Sequence, residues 1–456
     1  MALRFYNSFT NQKEDFIPIR EGEVGMYVCG MTVYDSCHLG HARAMMAFDI
    51  LVRYLQNQDY KVHFVRNITD VDDKIIERAI KNNESIGDLT QRTISSMHED
   101  FLKLGLVLPT DEPRATDYIP GMIEMIEDLI KKGHAYHSSG GDVFFAVRTF
   151  AEYGKLSNKN IDDLNPGSRI AEDESKKDPL DFVLWKSAKE GEPSWDSPWG
   201  QGRPGWHIEC SVMSFQNLGQ HFDIHGGGPD LLFPHHENEI AQSECSSGSK
   251  FANYWLHSGL LKINGEKMSK SLGNFAMLKD LFISYHPEVL RYYLISSHYR
   301  SSLNFDLESL NQAKSALTRL YQALASVEGE GGELDQSMVN QFSVVMNDDL
   351  NTPEALSLLF QLAKLINSSS DSIQKIKYGS TLKELSGILG LLEDDPKTFF
   401  QFGATLSDKE IDQQIALRNT ARDAKDFQTA DQIRDSLIEK GIILDDSSEG
   451  TTWKKS

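Results

Sequence analysis

Apolar positions along the chain change their period several times, and each change marks an element. Residues 24–28 (VGMYV) form an apolar run leading into Cys29 and Gly30, the pattern of a strand buried on both faces. Residues 42–57 (ARAMMAFDILVRYLQN) have helical spacing, and 61–68 (KVHFVRNI) reads as a strand. Thr69 or Asp70 is then placed to cap a helix running through Ile80. Strand, helix, strand, helix predicts a parallel sheet with right-handed crossovers. Helical patterns continue over 85–104 and 119–133, and the character changes over 134–200. There a strand-like YHSSGGDVFFAV, a polar stretch and a Trp- and Pro-rich run have the look of an insertion between two halves of a sheet. Residues 205–210 (GWHIEC) resume a strand pattern, so Trp206, Ile208 and Cys210 should share one face. Residues 221–225 (HFDIH) are a further strand before a glycine triplet. Beyond Glu288 helical spacing dominates, over 306–328, 335–346, 352–369, 371–377 and 381–393, which predicts a bundle. Residues 394–403 read as a linker, and 407–456 as a helical pair followed by a small hairpin.

The length, 456 residues, allows two to four domains with an ample core. No apolar run is long enough for a membrane span, and the first residues lack a signal-peptide layout, so a cytoplasmic chain with no membrane partner is expected. Four widely spaced cysteines, Cys29, Cys37, Cys210 and Cys245, argue against a disulfide framework and leave metal binding or core packing. The net charge of −21 works against a nucleic-acid partner unless basic residues are gathered locally.

Three stretches carry candidate chemistry. His38-Leu39-Gly40-His41 opens the first long helix. A helix N-terminus offers free N–H groups and a positive dipole end to a phosphate, and Gly40 removes a Cβ from the approach. The same four residues also suit a plain turn into a helix. Gly226-Gly227-Gly228-Pro229-Asp230 lets backbone approach a ligand and places a carboxylate to accept ribose hydroxyls, or is an ordinary Gly-Pro turn. Lys267-Met268-Ser269-Lys270-Ser271 brackets a serine with two lysines that can close over a triphosphate, or is a solvated basic loop. Separately, Cys29, Cys210, His235 and Glu239 make a zinc-compatible set, with His235 and Glu239 one helical turn apart. His236 competes as a ligand on the same turn, and two core cysteines beside a polar helix remain the alternative.

In this order the HLGH and KMSKS motifs resemble those of the class I aminoacyl-tRNA synthetases. YVCGMTVYD (27–35), NITDVDDK (67–74), GWHIEC (205–210), FDIHGGG (222–228), FPHHENE (233–239) and GTTW (450–453) narrow the resemblance to the bacterial cysteinyl-tRNA synthetases over essentially the whole chain. Leu39 stands where isoleucine is common, a swap that keeps the bulk.

The resemblance implies an α/β Rossmann-like parallel-sheet catalytic domain with an inserted connective subdomain, then an α-helical bundle and a small α+β C-terminal module. Its expected bounds are 1–118 and 204–250 for the two catalytic halves, 119–203 for the insertion, 251–310 for the KMSKS and stem-contact region, 311–395 for the bundle, and 404–456 for an anticodon-binding module. The implied partners are ATP, L-cysteine and tRNA-Cys, with one Zn2+ per subunit on Cys29, Cys210, His235 and Glu239, Mg2+ accompanying ATP, and a monomeric enzyme. His38, Gly40 and His41 would meet the nucleotide, Asp230 its ribose, and Lys267 and Lys270 the triphosphate, His38, His41 and the two lysines acting in catalysis. Trp206, Thr69 and His225 would contact the substrate cysteine, and Phe427 and Arg422 the anticodon. A cysteine ligase that joins activated cysteine to an amino-sugar is the rival within the same chemistry, and the tail from 407 argues against it.

Overall fold

The structure is a computed structural model that describes residues 2–163, 175–263, 265–267, 276–329, 331–404, 406–447 and 450–455. The chain forms two compact units. One comprises Met1–Met277, Ser297–Phe305 and Ser343–Pro353, the other Leu278–Ser296, Asp306–Phe342 and Glu354–Ser456.

The first unit opens with an antiparallel hairpin, β1 (Arg4–Asn7) and β2 (Gln12–Asp15). β3 (Glu23–Thr32) follows, α1 (Leu39–Asn57) crosses over, and β4 (Lys61–Thr69) returns parallel to β3. After α2 (Asp73–Asn82), α3 (Ile86–Lys103) and α4 (Ile119–Lys131), four short strands make an antiparallel sheet of their own. These are β5 (Ala135–His137), β6 (Val143–Phe145), β7 (Phe182–Ser187) and β8 (Gly202–Pro204). The chain then rejoins the main sheet through α5 (Trp206–Leu218) and β9 (Phe222–Gly227). A single π-helical turn, Leu232–His236, leads into α6 (Glu237–Ser247) and β10 (Ala252–His257).

The main sheet has the order β10-β9-β3-β4, all parallel. From β3 the chain goes out to β4 on one side and later to β9 on the other. The order therefore reverses between β3 and β9, and ligands of such sheets bind in the crevice beyond the strand ends at that reversal. Cys29 and Gly30 lie near the end of β3, and His225 to Gly227 near the end of β9. Gly30 is required by close approach: a Cβ there would stand 1.6 Å from the Asn67 carbonyl oxygen on β4.

A small three-stranded sheet completes the first unit, from β11 (Leu261–Ile263), β12 (Glu266–Lys267) and, later in sequence, β13 (Leu303–Phe305). Lys270 lies outside the described residues.

The second unit is helical. It contains α7 (Leu278–Ser284), α8 (Pro287–Ile295), α9 (Leu307–Ala325), most of α10 (Gln336–Met346) and of α11 (Thr352–Ser368), and α12 (Ser372–Ile388). α13 (Pro396–Gln401), α14 (Asp408–Asp423), α15 (Phe427–Glu439) and the hairpin of β14 (Ile442–Ser447) and β15 (Gly450–Lys455) end the chain. Ile411, Ile415, Leu437, Ile442 and Trp453 form a separate small core under this last part. Among the described residues no helix is long and apolar enough to cross a membrane.

Four local expectations are corrected. GWHIEC is the start of α5, not a strand, because the helix is buried nearly all round from Ile208 to Ser214 and shows no polar face to betray its period. Residues 371–393 hold one long helix, α12, not two: Gly379 sits inside it because Val327 packs where a Cβ would be, 2.8 Å from Cγ2. The linker at 394–403 contains α13, capped by the Asp395 carboxylate and anchored by Phe399 stacked 4.0 Å from Tyr321. The cap of α2 is Asp72, whose carboxylate accepts from Lys74 N at 2.9 Å, while Thr69 ends β4 and Asp70 accepts from Thr116.

Candidate active site and metal centre

Three elements converge at the reversal between β3 and β9. β3 delivers Cys29, the second turn of α5 delivers Cys210, and the π-turn running into α6 delivers His235 and Glu239. All four are buried. The Cys29 and Cys210 sulfurs are 3.7 Å apart, Cys29 Sγ is 3.5 Å from Glu239 Oε1, and His235 Nε2 is 3.0 Å from the same oxygen. One donor atom from each lies within 4.8 Å of all the others. Two thiolates bound at about 2.3 Å to a tetrahedral ion stand about 3.8 Å apart, so the sulfur pair already has the edge length that zinc requires.

A second layer of imidazoles orients this set. His235 faces Glu239 through Nε2 and His207 through Nδ1, at 2.8 Å. Burial, reinforced by His235, pushes His207 down to about 3, so it is neutral and accepts the His235 proton. Burial works against charge on His235 too, but the Glu239 carboxylate and Cys210 lift it to about 10. Cys210 moves the other way: burial opposes its thiolate, yet hydrogen bonds from Cys29 and His235 bring it down to about 6. Burial likewise opposes ionisation of Glu239, and His225 and His235 outweigh it. His225 Nε2 holds the second Glu239 oxygen at 2.7 Å, with its ring stacked on Trp255 at 4.4 Å. Such outer partners fix the orientation and charge of metal ligands.

Cys29 and Glu239 also group with His225 and His236. His236 Nε2 stands 3.4 Å from Cys29 Sγ, and its Nδ1 bonds His257 at 2.9 Å. This set has one sulfur, and using it would take His225 off Glu239. The set with two thiolates is the softer and better zinc site.

Around it lie the other residues singled out from sequence. Trp206, on the same face of α5 as Cys210 one turn later, stacks on the His235 ring at 4.1 Å and is 39% exposed, so it roofs the cluster with a face towards solvent. Thr69 is buried at the end of β4, and its hydroxyl donates to Glu209 at 2.8 Å. His38 and His41 make a reciprocal cap at the start of α1, each ring accepting the other's backbone N–H, with centroids 3.5 Å apart. No acidic residue occupies that first turn. Asp230 is exposed just past β9. Lys267 lies in β12, paired by backbone with Lys262. Cys37 is buried 3.8 Å from the Met31 sulfur, and Cys245 packs half-buried against the core, so neither joins the cluster. In the second unit, Phe427 is 62% exposed at the start of α15, and Arg422 pairs with Asp446 at 2.9 Å.

His207, His257, Asn67 and Glu209 were not singled out from sequence. Asn67 lies within NITDVDDK and His207 and Glu209 within GWHIEC, but a motif marks a stretch and does not display which of its polar side chains is buried against the cluster.

The parallel sheet with its reversal, the HLGH helix start and the cluster at the strand ends define a class I tRNA synthetase. Residues 15–315 match the family model described as the tRNA synthetases class I (C) catalytic domain, and 341–393 match the DALR domain. Within that class the chain belongs to the cysteine–tRNA ligases. It is 54% identical to the Methylococcus capsulatus cysteine–tRNA ligase over 463 residues, covering 99% of this chain and 100% of that one. It is 55% identical to the Legionella pneumophila (strain Corby) enzyme, covering 99% of each chain. Among solved structures, Mycobacterium tuberculosis methionyl-tRNA synthetase with methionyl-adenylate aligns at TM-score 0.58 and 14% identity, over 80% of this chain and 89% of that one. The leucyl enzyme LeuRS of Agrobacterium radiobacter K84, in a ternary complex, aligns at 0.60 and 11%, over 82% and 84%. At such identities these two speak for the fold alone.

Proposed function

We propose that this cysteine–tRNA ligase activates L-cysteine with ATP and passes it to the 3′ end of tRNA-Cys, using a zinc ion on Cys29, Cys210, His235 and Glu239 to select the thiol. The observation that carries the proposal is the buried sulfur pair, 3.7 Å apart with His235 and Glu239 beside it, at the sheet reversal. When bound there, zinc supplies a soft Lewis acid that favours a thiolate over the hydroxyl of serine. A site that only measures shape rejects a near-isostere by about a hundredfold.

In the first step an oxygen of the cysteine carboxylate attacks the α-phosphorus of ATP, and pyrophosphate leaves. In the second, a ribose hydroxyl of the terminal adenosine, the 2′ in this class, attacks the activated carbonyl and AMP leaves. The chain's part is position and charge. The N-terminus of α1, with His38, Gly40 and His41, receives the phosphates, and Asp230 accepts from the ribose. Lys267 and Lys270, with Mg2+, offset the charge that develops on the departing pyrophosphate. Trp206 covers the cysteine, Thr69 meets its polar end, and His225 keeps Glu239 in place.

Cysteine-dependent exchange of pyrophosphate into ATP tests the first step directly. Exchange with cysteine and none with serine is expected from zinc-loaded protein, and absence of exchange with cysteine removes the proposal. Charging of tRNA-Cys, with no transfer to an amino-sugar, then separates the tRNA enzyme from the amino-sugar ligase.

A further inference from the structure

One buried side chain links the helix that opens at His38-Leu39-Gly40-His41 to the sheet that carries Lys267. Arg43 lies two residues past His41 on α1 and is 2% exposed. Its guanidinium reaches residues 297–301. Nη1 donates to the Ser297 carbonyl at 3.3 Å, and Nη2 donates to those of His298 at 2.6 Å and Ser301 at 3.1 Å. A guanidinium presents its donors as a rigid planar fork, so engaging carbonyls of three residues sets distance and angle together. The same stretch is held from another side by the buried Asp349, which accepts from Tyr299 Oη and from Arg300 Nε, both at 2.8 Å. The stretch leads into β13, which pairs with β11, and β11 pairs with β12, placing Lys262 opposite both Asn304 and Lys267. Gly259, just ahead of β11, donates to the Tyr299 carbonyl at 2.7 Å, and a Cβ there would stand 2.1 Å from the Ser301 carbonyl oxygen. Beyond the KMSKS stretch the chain meets α1 again, where Leu39 N donates to the Ala276 carbonyl at 2.9 Å and His38 pairs with Met277. Arg43 therefore supplies a second tie between the start of α1 and the strand of Lys267.

We propose that Arg43 is a positioning residue for adenylate formation. It fixes the strand of Lys267 against the N-terminus of α1, so that the groups receiving the phosphates and the lysine facing the departing pyrophosphate keep one separation. It acts through that strand and not on the nucleotide, since its fork is engaged with backbone carbonyls. Charge on the pyrophosphate develops only as its bond to the α-phosphorus breaks. A displaced lysine therefore forfeits stabilisation of the transition state more than binding of ATP. Lysine in place of Arg43 would keep the charge and lose the fork, which separates geometry from electrostatics. The inference rests on the reading that ATP is bound between these two motifs.

The test separates the two steps of the reaction in Arg43→Lys. Its kcat for cysteine-dependent pyrophosphate exchange should fall about tenfold to 100-fold, the loss that a misplacement of about 1 Å can produce. KM for ATP, KM for cysteine and zinc per chain should stay within about twofold, the pattern of an interaction made only in the transition state. Transfer from preformed cysteinyl-adenylate to tRNA-Cys should be unchanged, because the pyrophosphate has left by then. In a chain already carrying Lys267→Ala, Arg43→Lys should cost no more than about twofold further, since the two act as one unit. Asp349→Asn loosens the same stretch from its other side and gives a second comparison should Arg43→Lys fail to fold, with kcat lowered and KM for ATP kept. Equal losses in exchange and transfer overturn the proposal, as does a rise in KM for ATP in place of the fall in kcat, or an undiminished loss in the Lys267→Ala chain. Wild-type protein without cysteine-dependent exchange fails the underlying reading instead, before any variant is compared.

Discussion

At the scale of single residues, the candidate metal set is held by the side chains around it. His235 bridges His207 and Glu239, and His225 occupies the remaining Glu239 oxygen. Removing a ligand should therefore undo the site, whereas removing the rival histidine should not. Cys210→Ser is expected to lose zinc, measured as metal per chain, and to lower kcat/KM for cysteine by more than about 100-fold, beyond the usual cost of an outer partner. His236→Asn is expected to retain zinc at one per chain. If His236→Asn loses the metal and Cys210→Ser keeps it, the ligands are Cys29, His225, His236 and Glu239 instead. That these side chains could hold a metal is legible in the sequence, because sulfur, imidazole and carboxylate are donors that zinc takes, and the structure brings them together. Sequence spacing keeps both His235 and His236 as candidates, since neighbouring residues on one turn differ only in where their rings point, and the structure gives each a group of its own.

At the scale of elements, what was legible followed the strength of the period. β3, α1, β4 and α4 were all visible as apolar patterns, because each meets a core on a defined face. α5 was read as a strand from six residues, too few to tell a buried helix from a buried strand. The error kept one consequence intact, since Trp206 and Cys210 share a face at a separation of four in a helix as they do in a strand. The C-terminal hairpin owes its seat to an element contact that sequence could not supply. Arg418 of α14 grips Asp446 of β14 with two bonds, at 2.8 and 2.7 Å, and Arg422 and Thr451 add one each. The hydrogen bonds from Arg418 and then Thr451 hold the Asp446 carboxyl well below the usual carboxylate range. A carboxyl depressed in the folded state stabilises above its unfolded value, near 3.9, and that contribution is lost as pH falls through the folded value. The β14–β15 amides should accordingly hold their hydrogen-exchange protection from neutral pH down past ordinary carboxylate titration, and loosen only in stronger acid. Arg418→Ala should cost about 1–3 kcal/mol in this module and narrow the difference, with the bonds from Arg422 and Thr451 keeping part of it. A wild-type module that opens at the pH of an unpaired carboxylate would show that the Arg418 grip is absent in solution.

At the scale of the whole molecule, a net charge of −21 argues against RNA, and the family membership overrides it. Total charge is a poor guide here because phosphate contacts depend on where cations stand, and a sum over the chain erases that. The order of motifs was the more informative whole-chain signal: HLGH before an insertion, KMSKS after it, and a helical region last. That order separates the work. Every described residue assigned to adenylate formation lies in the first unit, whereas residues 404–456 close around a small core of their own. A chain ending at Gly403 keeps α13, with Phe399 still stacked on Tyr321, and loses only α14, α15 and the hairpin. Cysteine-dependent pyrophosphate exchange should survive this truncation within about twofold, while kcat/KM for tRNA charging should fall at least about fivefold if even one stacked base is lost, at about 1–3 kcal/mol per base. Phe427→Ala in the full chain should reproduce part of that fall, because an aromatic ring left 62% exposed at a helix start is free to take a base. Arg422→Ala should do so less, because its guanidinium is already engaged by Asp446. Charging that is unchanged in the truncated chain would remove the C-terminal module as the anticodon reader and leave recognition to the bundle that precedes it.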